Sequence, residues 1–419
     1  MEDLHAFLRE LGLHPDCVSL PAARNRFQEE MAAGLAGSPR SLGMHPTFLA
    51  ALPPEPHPAI LCLDCGGTYL RWGLVHCSAQ QPVIEHYCEA PMPGTEGPLS
   101  PDDFFDRLAA QIRPLAHPGL PIGFCFSYPM DILPDRDGRL LRLTKELKVP
   151  ALPGCCLGRE LLARLPSGCG PAVLLNDTVA TLLGGISHAR AAGADGLAGM
   201  ILGTGFNCCY AAQGVTLTKL PGAPDMIINL ECGNYDQPQG QIDRLLDADT
   251  DDPGAGRLEK MLGGAYHPRL ILLAARACAR AGFLSPAAGA VLEEIPAFAA
   301  QALEQLSLGG GPLCASFPLP KDQAVLRELL RQSQARAARL ITMVLTALAI
   351  QTGGGRTVAH PFCAVVDGAA FYGSHLLRAA LSELLETYVT AELGLHIRLL
   401  RAPHSNLLGA AAAAWQAHL

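Results

Sequence analysis

The stretch ILCLDCGGTYLRWGLV, residues 60–75, carries two competing signals. Cys62 and Cys65 have the spacing of a metal or redox pair. Asp64, Gly66, Gly67 and Thr68 have the spacing of a tight turn between two apolar strands. Two glycines let a backbone turn sharply and approach an anion with no Cβ in the way. Thr68 adds a hydroxyl donor and Arg71 a guanidinium fork that suits phosphate. Asp64, at a strand end, can hold magnesium through water. A plain hairpin would use the same glycine pair.

Working outward, the strand–turn–strand pattern occurs twice. ILCLDC, YLRWGLVHC and VIEHYCEA read as three strands, and PIGFCFSYP and AVLLND as two more, with helices at 101–115 and around GRELLARL and TVATLLGGI. Ser100 caps the first of these helices, with Pro101 at its first position. GMILGTGFNCCYAA, residues 199–212, then opens a second unit of the same kind. MIINLECG, CAVVDGAAFYG and HIRLLRA supply its further strands, residues 256–351 are mostly helical, and helices follow at 375–389 and 406–418. Two helices occupy residues 1–40. This predicts an α/β protein of two similarly built halves that meet near residue 176, with the chain ends crossing back.

At 419 residues the chain suits two domains, and 49% hydrophobic residues provide a large core. A net charge of −8 with no Lys/Arg block argues against nucleic acid as a partner. The N-terminus lacks the basic flank and apolar run of a signal peptide. LITMVLTALAI, residues 340–350, is too short to span a bilayer and reads as a core helix. The expectation is a cytoplasmic protein with no membrane contact. Fifteen cysteines, scattered through apolar stretches, suit reduced packing thiols better than a disulfide framework.

The second glycine turn, GTGFN at 203–207, also follows an apolar strand. A nucleotide lying between two such turns would touch both with its phosphates, and VDG at 366–368 suits a third contact. The chain has neither a P-loop nor a full dinucleotide-binding fingerprint. Asp177, in LLNDTVAT, stands where a strand ends and a helix begins. Either Asn176 or Asp177 is the helix cap, or Asp177 is a general base for a hydroxyl that attacks phosphorus. RLTKELK supplies Thr144 and Lys145, the latter suited to offset charge on a transferring phosphoryl group. Ser127, Asn207 and Glu231, each at a strand end, suit the hydroxyls of a small acceptor.

Together these segments resemble the hexokinase family of actin-like sugar kinases along nearly the whole chain. LDCGGTYLR and LGTGFNCCY are similar to its two phosphate motifs, and GFCFSYP, RLTKELK and INLECG to its sugar segments. LLNDTVATL is similar to its catalytic strand and helix, and VVDGAAFY with LLGAAAA to its adenosine end. The resemblance implies a two-lobed actin-like ATPase, or ribonuclease H-like, fold. Its small lobe would be 43–175 with 406–419 and its large lobe 1–42 with 176–405, and ATP and magnesium would sit in the hinge cleft. It implies Asp177 as base and Lys145 as phosphoryl stabiliser, with Ser127, Thr144, Asn176, Asn207 and Glu231 on the sugar. Asp64, Gly66, Gly67, Thr68, Arg71, Gly203, Thr204, Asp367, Gly368 and Asn406 would hold the nucleotide, with Asp64 also at the metal. It implies a small-molecule sugar as substrate, carbohydrate metabolism as the setting, and a monomer or small homo-oligomer. Cys62 and Cys65 then read as packing thiols beside a phosphate hairpin.

One departure is informative. In LEKMLGGAYHPRL, Arg269 stands where the family has a glutamate at the anomeric end of glucose. A guanidinium cannot accept hydrogen bonds from sugar hydroxyls. Either Arg269 turns away or pairs with Glu231, or it faces the pocket and recognises a carboxylate or phosphate on the acceptor. Tyr69, Leu143, Cys232, Asn234 and the segment HSNLLGAA also depart from the family. The leading expectation is an ATP-dependent kinase that makes a sugar 6-phosphate. The alternative is a catalytically weak or inactive sugar sensor on the same fold.

Overall fold

The computed structural model describes residues 1–53, 55–78, 82–143 and 147–418. Two sheets share one topology. The first contains β1 (His57–Cys65), β2 (Tyr69–Cys77), β3 (Pro82–Pro91), β4 (Ile122–Phe126) and β5 (Ala172–Leu175), in the order β3-β2-β1-β4-β5. β1, β2 and β3 are antiparallel neighbours, while β4 and β5 continue the sheet in parallel. The second contains β6 (Gly196–Leu202), β7 (Phe206–Ala212), β8 (Met226–Asn229), β9 (Phe362–Asp367) and β10 (Ile397–Leu400), in the order β8-β7-β6-β9-β10. Its directions repeat those of the first. This is the two-lobed α/β fold that the sequence repeat predicts. His45–Pro46 pairs outside β8, so residues read with the first lobe begin on the second sheet.

Burial explains the strand types. β4 is buried along its whole length, as a central parallel strand must be. β3 is an edge, largely exposed, and its Glu85, His86 and Glu89 discourage further pairing. Between the sheets lie the helices Asp177–Ala191 and Ser405–His418, packed on each other. Small residues let them approach. A Cβ on Gly409 would stand 2.0 Å from the carbonyl oxygen of Ala180, and the alanines 410–414 are all buried. The segment 340–350 lies in the 33-residue helix Pro320–Thr352, which packs on the second sheet. Among the described residues no helix is long and apolar enough to cross a membrane.

The fold also resolves the opening cysteine pair. Residues three apart on a strand point to opposite faces. Cys62 packs in the core between the sheets, and Cys65 in the cluster on the other side of β1. They cannot share a ligand, and burial holds both thiols well above their usual range. Cys65 is also the last strand residue, paired with Leu70, rather than part of the turn. Residues 130–140, whose strands are too short to show a period, form a small hairpin, Met130–Ile132 with Gly138–Leu140, turned by PDRDG, and it delivers residues 141–143 to the cleft.

Candidate active site

A cavity of about 200 Å³ lies where the two glycine turns face each other. Gly66 and Gly67 of the first turn line it, as do Thr204 and Gly205 of the second. Both turns are backbone-tied. Gly66 N–H donates to Tyr69 O at 3.1 Å, and Gly203 N–H to Gly205 O at 3.0 Å. The second turn is also clamped from outside, because Gly264 N–H reaches Gly203 O at 2.8 Å and Ala265 N–H reaches Thr204 O at 3.1 Å. Gly368, at φ 117°, presses beneath it. A Cβ there would stand 2.2 Å from Leu202 O, so only glycine fits.

Ser127, Asn176, Asp177, Asn207 and Glu231 line the same cavity. Asn176 is the helix cap, and its Oδ1 accepts from Thr178 N–H at 3.0 Å. The cap alternative for Asp177 therefore falls away. Its carboxylate, in the first turn of the helix, takes no hydrogen bond or ion pair among the described residues and faces the cavity. Asn176, Asn207, Asn229 and Glu231 form one chain. Asn207 Nδ2 donates to Asn229 Oδ1 at 2.8 Å and to Asn176 Oδ1 at 3.4 Å, and Asn229 Nδ2 donates to Glu231 Oε1 at 2.8 Å. Asn207 Oδ1 is fixed by the N–H groups of Cys208 and Cys232.

Glu231 sits at φ 53°, a left-handed position that glutamate rarely adopts. Its pKa is pushed up to about 7, first by burial and then by the charges of Asp177 and Glu259, against the opposing Asn229 bond and Arg142 charge.

The structure separates the other predicted residues into groups. Thr68 and Arg269 line an adjoining cavity of about 670 Å³ with Gly67 and Thr204. Asp64, Arg71 and Asn406 form a linked set beside the first turn. Asp64 Oδ1 accepts from Asn406 Nδ2 at 3.2 Å, and its Oδ2 faces Arg71 Nη1 at 3.4 Å. Arg71 also bonds Glu89 at 2.6 Å, and Asn406 Oδ1 accepts from Thr181 at 3.2 Å. Here Arg71 and Asn406 hold Asp64. Burial raises the pKa of Asp64 against both of these partners. Gly203, Asp367 and Gly368 meet at the ends of β6 and β9. Thr144 and Lys145 lie outside the described residues.

Of the alternatives for Arg269, the structure shows it turned away from Glu231 and outside the cavity of Asp177. Its Nη2 donates to Asp249 O at 2.7 Å and Asp249 Oδ2 at 2.8 Å. The helix His267–Arg280 starts with Pro268 in its first turn, which points Arg269 at the 249–252 loop. Among the described residues the cation that lines the cavity is Arg142, bonded to Asn234 Oδ1 at 2.7 Å. Sequence reasoning missed Arg142, Asn229 and Glu259. Glu259 Oε2 accepts from Phe206 N–H at 3.1 Å and closes the floor beside Gly205. β8 ends at Asn229, and the left-handed turn at Glu231 brings the two side chains together, a geometry that strand alternation in the sequence does not report.

Hexokinase family models match residues 4–186 and 197–416. Human hexokinase-3 is 32% identical over 266 residues, 59% of this chain and 28% of that protein. Hexokinase-1 of Schizosaccharomyces pombe is 31% identical over 264 residues, 58% of this chain and 54% of that protein. The chain thus spans about half the length of such relatives, or less. The structure of a Schistosoma mansoni hexokinase complexed with glucose superposes with a TM-score of 0.83 at 21% identity, covering 100% of this chain and 99% of that one. A second hexokinase crystal structure gives 0.76 at 22% identity, with both chains covered completely. The repeated sheets, the paired glycine turns and these matches agree: the chain belongs to the hexokinase family.

Proposed function

We propose that the chain transfers the γ-phosphoryl group of ATP, with magnesium, to the O6 hydroxyl of a hexose. Asp177 carries the reading. It is a carboxylate at a helix start with no structural partner among the described residues, set in a polar cavity between two glycine turns. As the acceptor oxygen bonds the γ-phosphorus, its proton passes to Asp177. The bond from phosphorus to the bridging oxygen breaks and ADP leaves. Asn176, Asn207, Glu231 and Ser127 orient the hexose, and Asn229 and Glu259 hold that wall in place. The phosphates lie against Gly66–Thr68 and Gly203–Thr204. The base enters a mainly apolar cavity of about 310 Å³ lined by Leu202, Gly264, Ala300, Leu303, Ala369 and Ala370. Thr144 on the sugar and Lys145 on the transferring phosphoryl group remain roles that the family resemblance implies.

Asp64 fits magnesium. A buried carboxylate whose proton is held too tightly gains from a cation, and each oxygen keeps acceptor capacity beyond Arg71 and Asn406. Magnesium is commonly held by one or two carboxylates with substrate phosphates and water, and it would supply charge neutralisation on the transferring group.

The test is acceptor-dependent ADP formation from magnesium ATP across a panel of hexoses, with the sugar phosphate identified. ADP formation indifferent to acceptor, or none with any hexose, would overturn the reading and favour a sugar sensor. A narrower prediction concerns Gly205→Ala. The new Cβ would stand 2.1 Å from Glu259 Oε2 and push that carboxylate off Phe206 N–H. Loss of one charge-assisted bond predicts an increase of about tenfold in hexose KM. Initial rates on the folded variant check it, and an unchanged KM would remove Glu259 from the sugar wall.

A further inference from the structure

A second chamber, of about 540 Å³, adjoins the reaction cavity at a neck formed by Arg142, Glu231 and Asn234, which line both. The two spaces differ in charge. The reaction cavity holds Asp177, Glu231 and Glu259 against a single described cation, Arg142. The outer chamber loses Asp177 and Glu259 and gains Arg40, Arg257 and His45, with Asp236 as the one added acid.

Among the described residues these arginines keep donors without a carboxylate partner. Arg142 donates Nη2 to the neutral amide of Asn234 at 2.7 Å, and among the described residues it bonds no carboxylate. A guanidinium carries five donors in a fork that matches an oxyanion. Arg257 pairs with Asp236, yet its Nε is buried with no partner among the described residues. Arg40 reaches Glu30 at only 3.7 Å and is otherwise exposed.

The charge pattern also fixes an orientation. On the acceptor wall, hydroxyls can donate to Asp177, Glu231 and Glu259, whereas an acceptor anion among these carboxylates would be repelled. Such a group is better placed beside Arg142 and the arginines of the outer chamber. Resting on the hexose kinase reading, we propose that the acceptor carries an anionic group at the end remote from the reacting hydroxyl. Arg142 binds that group at the neck, with Arg257 beyond it. Arg269 is held at Asp249, and the arginine suited to select the acceptor is Arg142, which follows the 130–140 hairpin.

Gluconate and glucose 1-phosphate both keep the O6 hydroxyl and place an anion at the opposite end, so they separate carboxylate from phosphate. Glucose is the neutral control. Binding is titrated calorimetrically and transfer is measured from magnesium ATP, for wild type, Arg142→Gln and Arg257→Gln. At least one anionic acceptor is expected to bind wild type about tenfold or more tighter than glucose. Arg142→Gln weakens that binding by about 10- to 100-fold and shifts glucose by less than about threefold. Arg257→Gln gives a smaller loss, again confined to the anion. A merely structural Arg142 would weaken all three acceptors alike, and that result overturns the proposal. So does wild type that binds neither anion better than glucose. Failure of the kinase reading is distinguishable: it appears as Arg142-dependent anion binding without transfer.

Discussion

Asp177→Asn lowers kcat for phosphoryl transfer by about three orders of magnitude, within the range of a lost general base. The substitution keeps shape and removes only the ability to take the acceptor proton. Its confinement to chemistry follows from the structure. Asn176 rather than Asp177 caps the helix, and no described residue bonds the Asp177 side chain, so the fold loses nothing with the charge. Hexose KM therefore stays within a few-fold of wild type. The melting temperature holds or rises, because Asp177 is one of the charges that push Asp64 and Glu231 away from ionisation. Initial rates, hexose titration and thermal melts on one preparation check all three. A kcat within tenfold of wild type would assign the proton to another group.

The same residue shows what was legible in the sequence. Asp177 could be placed at a strand-to-helix junction because the apolar period changes there, but the choice between cap and base needed coordinates. The repeated sheet order was readable because both halves open with an apolar strand, a glycine turn and a return strand, and local periodicity fixes such units. The cleft was not readable to the same depth. Arg142 reaches it just beyond a short hairpin whose three-residue strands carry too little periodicity to be read from sequence. Arg269 lines the adjoining cavity rather than that of Asp177, with its guanidinium taken by Asp249. Arg71 and Asn406, which the resemblance puts at the nucleotide, are each also engaged by Asp64 and a second partner, which the sequence does not report. Position in a motif reports which element a side chain starts from. Its partner depends on packing between segments hundreds of residues apart, as for Asp64 and Asn406.

Glu231→Gln is expected to weaken hexose binding by about 100-fold at pH 8 while making the free protein more stable. Both effects follow from one carboxyl group whose pKa is raised from 4.5 to about 7, chiefly by burial. Between those values the native protein holds a proton that the unfolded chain has released. Its contribution to stability is full below pH 4.5 and is lost as pH rises through 7. At pH 8 the folded protein carries an ill-solvated charge near Asp177 and Glu259 on a left-handed backbone, and glutamine removes that charge. The variant should melt roughly 1–3 °C above wild type at pH 8, with the difference shrinking toward pH 5. Binding runs the other way. An ionised Glu231 accepts from two sugar hydroxyls, each charge-assisted bond contributing about 1.5–3 kcal/mol, which is the origin of the 100-fold loss. Wild-type hexose affinity should accordingly rise as pH passes from 6 to 8, with a midpoint near 7, and the glutamine variant should show a flat profile. A variant that keeps the wild-type pH profile would show that another group sets it. The strained, charge-burdened Glu231 is then the point at which this fold gives up stability to hold an acceptor.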